Sequence, residues 1–312
     1  MGHNRAAAFS LAFLLSGIGT ASAETLTVSG WYAAEERDVA MLYSLGVDRF
    51  DGDGGAQLQS AIEVALNQTR NRDGGPNFTV RSRYGKPDGM IYGAMRTRVD
   101  LKEFTRKAKR CASDTTSKKC KDNEKIEVDI YCTRRIVNAT ANIKITRMSD
   151  DALIYSRSIP VSNTTESCDG DGRPQSVESI VDGLSRSIAG QFADQVTPHG
   201  RTEDIRIRES RKGMSKEDGN QMKLLIATTK TRGAVACAGW REMEQRGVFH
   251  PTVKFNLGLC AEVDGQLDMA LGYYRPLAAS QNPLDVSEAI NRVERRMAGE
   301  ADEEARKEGV TQ

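Results

Sequence analysis

Six cysteines are the residues of this sequence whose chemistry is easiest to anticipate. An even number of cysteines in an exported chain indicates disulfide bonds. A zinc site is disfavoured, because no two cysteines are separated by two residues, the spacing typical of structural zinc sites. The sequence alone does not select one pairing among the many that six cysteines allow. The disulfide candidates are Cys111, Cys120, Cys132, Cys168, Cys237 and Cys260.

Position along the chain favours one set of pairs. Cys111 and Cys120 would close a short polar loop and are the easiest local pair. Cys237 and Cys260 both fall in a part of the chain with helical periodicity. The two remaining cysteines would then pair with each other.

Two Gly-Asp segments could in principle hold calcium or phosphate, and Asp51–Gly55 is the first of them. An EF-hand loop starting at Asp51 needs Glu at its twelfth position, where this sequence has Ile62. A P-loop needs a Gly-Lys-Ser/Thr ending, which is missing. We therefore interpret the segment as a turn that caps the following helix, and Asp169–Gly172 in the same way.

The histidines of this chain are few, which disfavours sites built from histidine side chains. The three histidines are His3, His199 and His250, too few and too far apart for a His-rich metal site or a His-based triad. No G-x-S-x-G element occurs either. The sequence predicts no catalytic residue, no metal and no cofactor, although abundant Asp and Glu leave a carboxylate pair open.

A basic stretch between Leu101 and Lys125 carries nine cations and four acids. Two interpretations stand: a solvated loop, or a surface for an anionic lipid or glycan. The candidate partner-surface cations in it are Lys107, Arg110, Lys118 and Lys119. Over the whole chain 44 Lys and Arg balance 43 Asp and Glu, which disfavours a dedicated nucleic-acid-binding protein.

The first 23 residues have the layout of a secretory signal peptide. A basic start, the apolar run 6–15 and the motif Ala21-Ser22-Ala23 follow one another. The sequence therefore predicts cleavage after Ala23 and a periplasmic or secreted protein. The apolar run is shorter than the roughly 20 residues that a membrane-spanning helix requires.

Residues 24–208 alternate between strand and helix patterns in the order β-β-α-β-β-β-β-α-β. The strand of residues 137–145 is the clearest, with apolar residues at every second position, as in a half-buried antiparallel strand. A stripe from Val177 to Val196 indicates a long amphipathic helix. This order predicts an α+β domain: a mixed sheet with two helices. Predicted strand segments are 25–32, 45–50, 77–84, 89–99, 125–145, 152–161 and a short one at 205–207, with a helix at 56–68.

After a charged linker at 209–220, the chain shows a helical period. Ala236 and Ala270 lie 34 residues apart, as do Trp240 and Tyr274, and this is the tetratricopeptide period. We expect small residues to let two helices approach, Tyr274 to fill the gap, and Tyr273 to face a partner. The residues assigned to repeat packing are Trp240, Leu257, Gly258, Gly265, Ala270 and Tyr274.

A series of sequence features spans roughly residues 26–207. They are the strand ending at Phe50, the 51–55 turn, Leu58 and Ile62, the segments 78–80 and 88–93, the paired long strands, and the helix that ends before Pro198. In these features the N-terminal block resembles the CsgG-like family, which includes the curli-secretion component and lipoprotein activators of penicillin-binding proteins. The resemblance implies an envelope role without enzyme chemistry.

Together these features predict an exported, non-enzymatic envelope protein that binds another envelope protein as an adaptor or scaffold. Peripheral contact with the outer membrane or cell wall and self-association are compatible with it. A component of an oligomeric outer-membrane secretion assembly is the alternative, and an enzyme with unrecognised carboxylate chemistry is a third. The expected segments are a signal peptide (1–23), a CsgG-like domain (24–208), a linker (209–220), tetratricopeptide-like helices with a cap (221–297) and a charged tail (298–312).

Overall fold

The computed structural model describes residues 24–279 and 283–310, so the expected signal peptide lies outside the described residues. The described chain forms two compact units. One comprises the residues up to Val28 with Glu203–Val286, and the other comprises Ser29–Thr202 with the residues from Ser287 onward.

The described residues form seven strands and seven α-helices, in an order close to that expected. The strands are β1 (Thr25–Tyr32), β2 (Ser44–Asp51), β3 (Thr79–Arg81), β4 (Gly89–Cys111), β5 (Lys125–Arg147), β6 (Ala152–Cys168) and β7 (His199–Arg206). The helices are α1 (Arg37–Ala40), α2 (Gly55–Gln68), α3 (Val177–Val196), α4 (Lys216–Gln245), α5 (Pro251–Val263), α6 (Leu267–Tyr274) and α7 (Pro283–Val310).

The main sheet is mixed, which confirms the predicted α+β class. Its strand order is β3-β2-β4-β5-β6. Strand β2 is parallel to both of its neighbours, whereas β4, β5 and β6 are antiparallel. Strands β1 and β7 form a separate two-stranded sheet.

One face of the main sheet packs against α2 and α3. Helix α2 buries Leu58, Ile62 and Leu66, which recur every four residues and so share one helix face. Helix α3 begins at the N-cap Ser176, whose side chain accepts a hydrogen bond from the Ser179 amide at 3.2 Å. Their apolar faces meet the odd-numbered residues of β4 and β5 in a single core: Ile91, Met95, Val137, Ala139, Ala141, Ile143 and Ile145.

Strands β4 and β6 are longer than expected, whereas β5 is close to the predicted 125–145. Residues 101–111, interpreted from sequence as part of a solvated insertion, continue β4 and pair with β5 without a register shift. The loop of the hairpin is therefore limited to residues 112–124. A small apolar cluster explains the extension: Ile130, Cys132 and Cys168 are buried together, with Phe104, Ala108 and Val128 packed against them. We call residues 96–111, 125–140 and 160–168 the arm.

The C-terminal residues also differ from the expectation. Residues 298–310, expected as a charged tail, form the second half of α7. Gly299 lies so close to the backbone of Trp31 and Tyr32 that a side chain there would collide with it. The guanidinium of Arg306 donates hydrogen bonds to the carbonyl oxygens of Ala40 and Asn77. The many charged residues of this segment led to the tail prediction, although one side of the helix makes buried contacts.

The other unit is helical, as the C-terminal periodicity predicted. Helix α4 changes direction at Arg232, whose backbone is not helical. Its two halves then lie side by side, because Leu225 fills the space beside Gly239 and the indole N–H of Trp240 donates to the sulfur of Met222 at 3.2 Å. Helices α5 and α6 form a second hairpin, in which Gly265 supplies the positive φ of 73° at the turn. The expected linker is shorter than predicted, because α4 already begins at Lys216.

Candidate partner-binding site

A groove between α4, α5 and α6 is the clearest candidate for a binding site in the helical unit. Its volume is about 400 Å³, within the range of small-ligand and side-chain pockets. Apolar atoms of Leu257, Ala261 and Met269 line it, and Met269 is 51% exposed. Its polar lining consists of Arg241, Glu244, Gln245, Asp264, Gln266 and Tyr273.

The walls of this groove are held by a disulfide and by a close helix contact. Cys237 on α4 is bonded to Cys260 on α5, with a Cα–Cα distance of 5.7 Å. The ring of Tyr274 lies directly against Gly258, where any side chain would overlap it. The Tyr274 hydroxyl donates to the buried carboxylate of Glu262 at 2.6 Å. The groove is therefore a preformed surface.

Two pairs of polar side chains form the rim of the groove. Arg241 makes a salt bridge with Asp264. The Tyr273 hydroxyl donates to a Glu244 carboxylate oxygen at 2.8 Å. Partial burial, and next the hydrogen bond to Glu244, raise the pKa of Tyr273 to about 12. Because the phenol stays protonated at neutral pH, the rim presents one ion pair and one phenol–carboxylate hydrogen bond.

Five of the six residues assigned to repeat packing lie in the interior of this unit, and the sixth, Gly265, lies at the exposed turn between α5 and α6. Trp240, Ala270 and Tyr274 have no exposed surface, and Leu257 is 2% exposed. Leu257 also contributes to the groove. Tyr273, expected to face a partner, does line the groove, although its hydroxyl is already bonded to Glu244.

Sequence reasoning missed most of the groove. Arg241, Glu244 and Asp264 belong to no motif, because charged residues on helices are common. One signal was available: Met269 lies one turn before Tyr273 on α6, and residues four apart share a helix face. An apolar residue beside a surface tyrosine would have marked that face.

The four candidate cations of the basic stretch lie at the end of the arm and are not a common surface. Arg110 is buried, which corrects its assignment to the surface: it is 3% exposed and donates to the Asp169 carbonyl at 3.0 Å. Lys107 is paired with Glu127 across the strands, and Lys118 is paired with Asp171. Lys119 is exposed.

All six cysteines are bonded, in the three pairs that chain position favoured. They are Cys111–Cys120, Cys132–Cys168 and Cys237–Cys260. The first two bonds lie at the end of the arm. Cys132 and Cys168 are directly opposite each other on β5 and β6.

Two further sequence candidates lie in a turn and at a helix N-cap. Asp51 ends β2 and Gly55 begins α2, so the first Gly-Asp segment is the turn between them. His250 is the N-cap of α5, where its ring nitrogen accepts a hydrogen bond from the Thr252 amide. Within the described ranges no cluster of three His, Cys, Asp or Glu has metal-binding geometry. No described helix is long and apolar enough to cross a membrane.

Comparison with known proteins gives weak likenesses only. No family model matches the chain, and no curated protein matches it in sequence. Among solved structures, a PelC dodecamer from Paraburkholderia phytofirmans is 14% identical over 56% of this chain and 98% of its own, with a TM-score of 0.25. A putative lipoprotein from Caulobacter crescentus is 14% identical over 52% of this chain and 88% of its own, with a TM-score of 0.24. A Xanthomonas campestris protein described as DUF330 is 12% identical over 49% of this chain and 81% of its own, with a TM-score of 0.22. TM-scores this low do not establish a shared fold.

Proposed function

We propose that this chain is an exported, non-enzymatic envelope protein that binds another envelope protein through the helical groove. The observation that carries the proposal is the preformed groove itself. It combines an exposed methionine above buried apolar residues with a rim of fixed polar pairs. Apolar centres surrounded by polar rims are typical of protein-binding surfaces, and methionine adapts to varied partner side chains.

Two features support the exported location. Three disulfides are typical of proteins that fold in an oxidising compartment. The signal-peptide layout of the first 23 residues agrees with this. The CsgG-like and tetratricopeptide-like assignments are part of the proposal and rest on sequence pattern, since no family model matches.

Affinity capture from envelope extracts tests this function. The tagged full-length chain is compared with Met269→Glu, which places a charge in the apolar part of the groove. Leu224→Glu is the matched control, because Leu224 is an exposed apolar residue of the same unit that does not line the groove. We expect one dominant envelope protein, captured by the wild type and the control and lost with Met269→Glu. Equal capture by both variants would refute the groove as the binding site.

A second candidate function, an oligomeric envelope assembly, is favoured by the free edges of the arm. Strand β4 pairs with β2 only as far as Ala94, and no other described strand covers that edge beyond this point. On the opposite side, β6 is the last strand of the sheet. Free strand edges are templates for pairing with another chain, and a head-to-tail contact between two different edges generates rings.

Native mass spectrometry of the purified full-length chain tests this second function. A discrete higher oligomer would support the assembly. A monomer at micromolar concentration would oppose it, and would leave the groove proposal unaffected.

A further inference from the structure

The arm carries its positive charge on one of its two faces. Strands β4 and β5 pair without a register shift, and alternate residues of a strand point to opposite faces. The odd-numbered positions of the arm are nearly balanced: Lys107, Lys109, Lys125 and Arg135 against Glu103, Glu127 and Asp129. The even-numbered positions have a clear excess of cations: Arg96, Arg98, Lys102, Arg106, Arg110 and Arg134 against Asp100 and Glu166.

Five of the six cations on the even-numbered side are accessible, and Arg110 is buried. Arg96, Lys102 and Arg106 form no salt bridge with any residue in the described ranges. Arg98 is paired with Asp100 but its side chain is 79% exposed, and Arg134 is paired with Glu166 at 2.6 Å. We call this surface the basic face. It consists of Arg96, Arg98, Lys102, Arg106 and Arg134.

The basic face is a fixed platform with an aromatic ring at its centre. Phe104 lies between Lys102 and Arg106 along β4, and the guanidinium of Arg134 is 5.3 Å from its ring centroid. The disulfide between Cys132 and Cys168 ties β5 to β6 at the level of Phe104, which pairs with Cys132. Arg106 lies ten positions after Arg96 on β4, so the row of charges extends over roughly 33 Å.

We propose that the basic face binds a linear acidic polysaccharide. A row of separated cations on a rigid strand suits a ligand that presents anionic groups repeatedly along a chain. Arginine pairs with carboxylates through two parallel hydrogen bonds. The choice of a glycan rests on the envelope location proposed above.

The distribution of apolar side chains favours a glycan over a membrane surface. Proteins that bind membrane surfaces combine basic residues with apolar side chains that enter the lipid. In the arm, the most exposed large apolar side chains are Leu101 and Tyr131, which are 64% and 72% exposed. Both occupy odd-numbered positions and so point away from the basic face. On the even-numbered side, Ile126 is 45% exposed, but it lies opposite Arg110 at the end of the arm, beyond the row from Arg96 to Arg106.

Binding of labelled polygalacturonate to the full-length chain, at low and high salt, tests the proposal. The test variant is Lys102→Gln/Arg106→Gln. The matched control is Lys107→Gln/Lys109→Gln, which removes the same charge from the same strand on the opposite face. We expect the test variant to bind roughly tenfold more weakly or worse, because it removes two of the five cations of the basic face. The control should stay within about twofold, and binding should weaken with salt.

Four results would overturn the proposal. They are no binding of polygalacturonate, equal weakening by both variants, equal binding of uncharged dextran, and binding only to vesicles that contain phosphatidylglycerol. Capture of a protein partner through the groove is measured in a separate assay, and the substitutions of both variants lie outside the helical unit. Failure of the glycan proposal and failure of the adaptor proposal are therefore distinguishable.

Discussion

At the scale of single residues, the geometry of the groove depends on the contact between Gly258 and Tyr274. The α5 backbone can approach the tyrosine ring this closely only because position 258 has no side chain. The sequence predicted this contact, because residues 258, 270 and 274 matched the small-small-aromatic pattern of a tetratricopeptide unit. It could not predict Arg241 or Asp264, whose role depends on the fold around them.

Replacing Gly258 by Ala is expected to destabilise the protein by about 1–3 kcal/mol, because the added methyl group overlaps the Tyr274 ring. Gly272→Ala on α6 is the control, since nothing lies near its added methyl group. That change should stabilise by about 0.5–1 kcal/mol through helix propensity. Urea unfolding measures both. A neutral effect of Gly258→Ala would contradict the close packing.

The Tyr273 phenol is expected to ionise near pH 12, well above its ordinary pKa of 10.0. A raised pKa means that the folded state holds the proton more tightly than the unfolded state. The contribution of this group to stability is then complete below pH 10 and is lost as the pH rises toward 12. The difference in ultraviolet titration between the wild type and Tyr273→Phe isolates this phenol. In Glu244→Gln the pKa of Tyr273 should fall toward 10, and a wild-type value near 10 would contradict the rim geometry.

At the scale of elements, the arm is where sequence and structure diverge most. The alternation of β5 was visible over residues 126–132 and most clearly over residues 137–145, where apolar residues face the main core. Beyond residue 99, β4 has few apolar residues. Phe104 and Ala108 are the two that pack against the small cluster of the arm. The apolar residues shift from odd-numbered to even-numbered positions, because the small cluster of the arm lies on the face of the sheet opposite to the main core. Because lysines and arginines occupy most of the neighbouring positions, the sequence showed no clear strand pattern there.

Removing the disulfide of the arm should loosen its end without affecting the main sheet. The bond between Cys132 and Cys168 closes a separation of 36 residues and contributes about 2–4 kcal/mol in the loop-entropy model. In the double serine variant we expect faster hydrogen exchange in residues 100–111 and 125–136. Residues 89–95 and 139–147 should keep their protection, because the main core remains. Uniform loss of protection in both regions would show that the arm has no independent stability.

At the scale of the whole molecule, the C-terminal helix α7 is part of the folded structure through contacts with distant segments. Sequence patterning predicted the class of the fold and the order of strands, because apolar periodicity reports burial directly. It assigned residues 298–312 to a tail, because charged residues dominate there. The contacts of Gly299 and Arg306 with segments more than 200 residues away leave no local signal in the sequence.

Deleting residues 299–312 is therefore expected to destabilise the unit that contains the main sheet, by roughly 2–4 kcal/mol. The deletion removes the Arg306 hydrogen bonds and the salt bridge between Arg37 and Asp302. Glu304→Gln, an exposed change on the same helix, should have little effect. Thermal unfolding followed by circular dichroism measures both. A deletion variant as stable as the wild type would restore the tail interpretation.

The central claim is that the helical groove holds a protein partner, and cross-linking from inside the groove in living cells tests it most directly. A photo-reactive residue is placed at Met269, and at Leu224 as the control position of the same unit. The account predicts one dominant cross-linked envelope protein from position 269 and none from position 224. Cross-links only to further copies of the chain, or the same product from both positions, would contradict it.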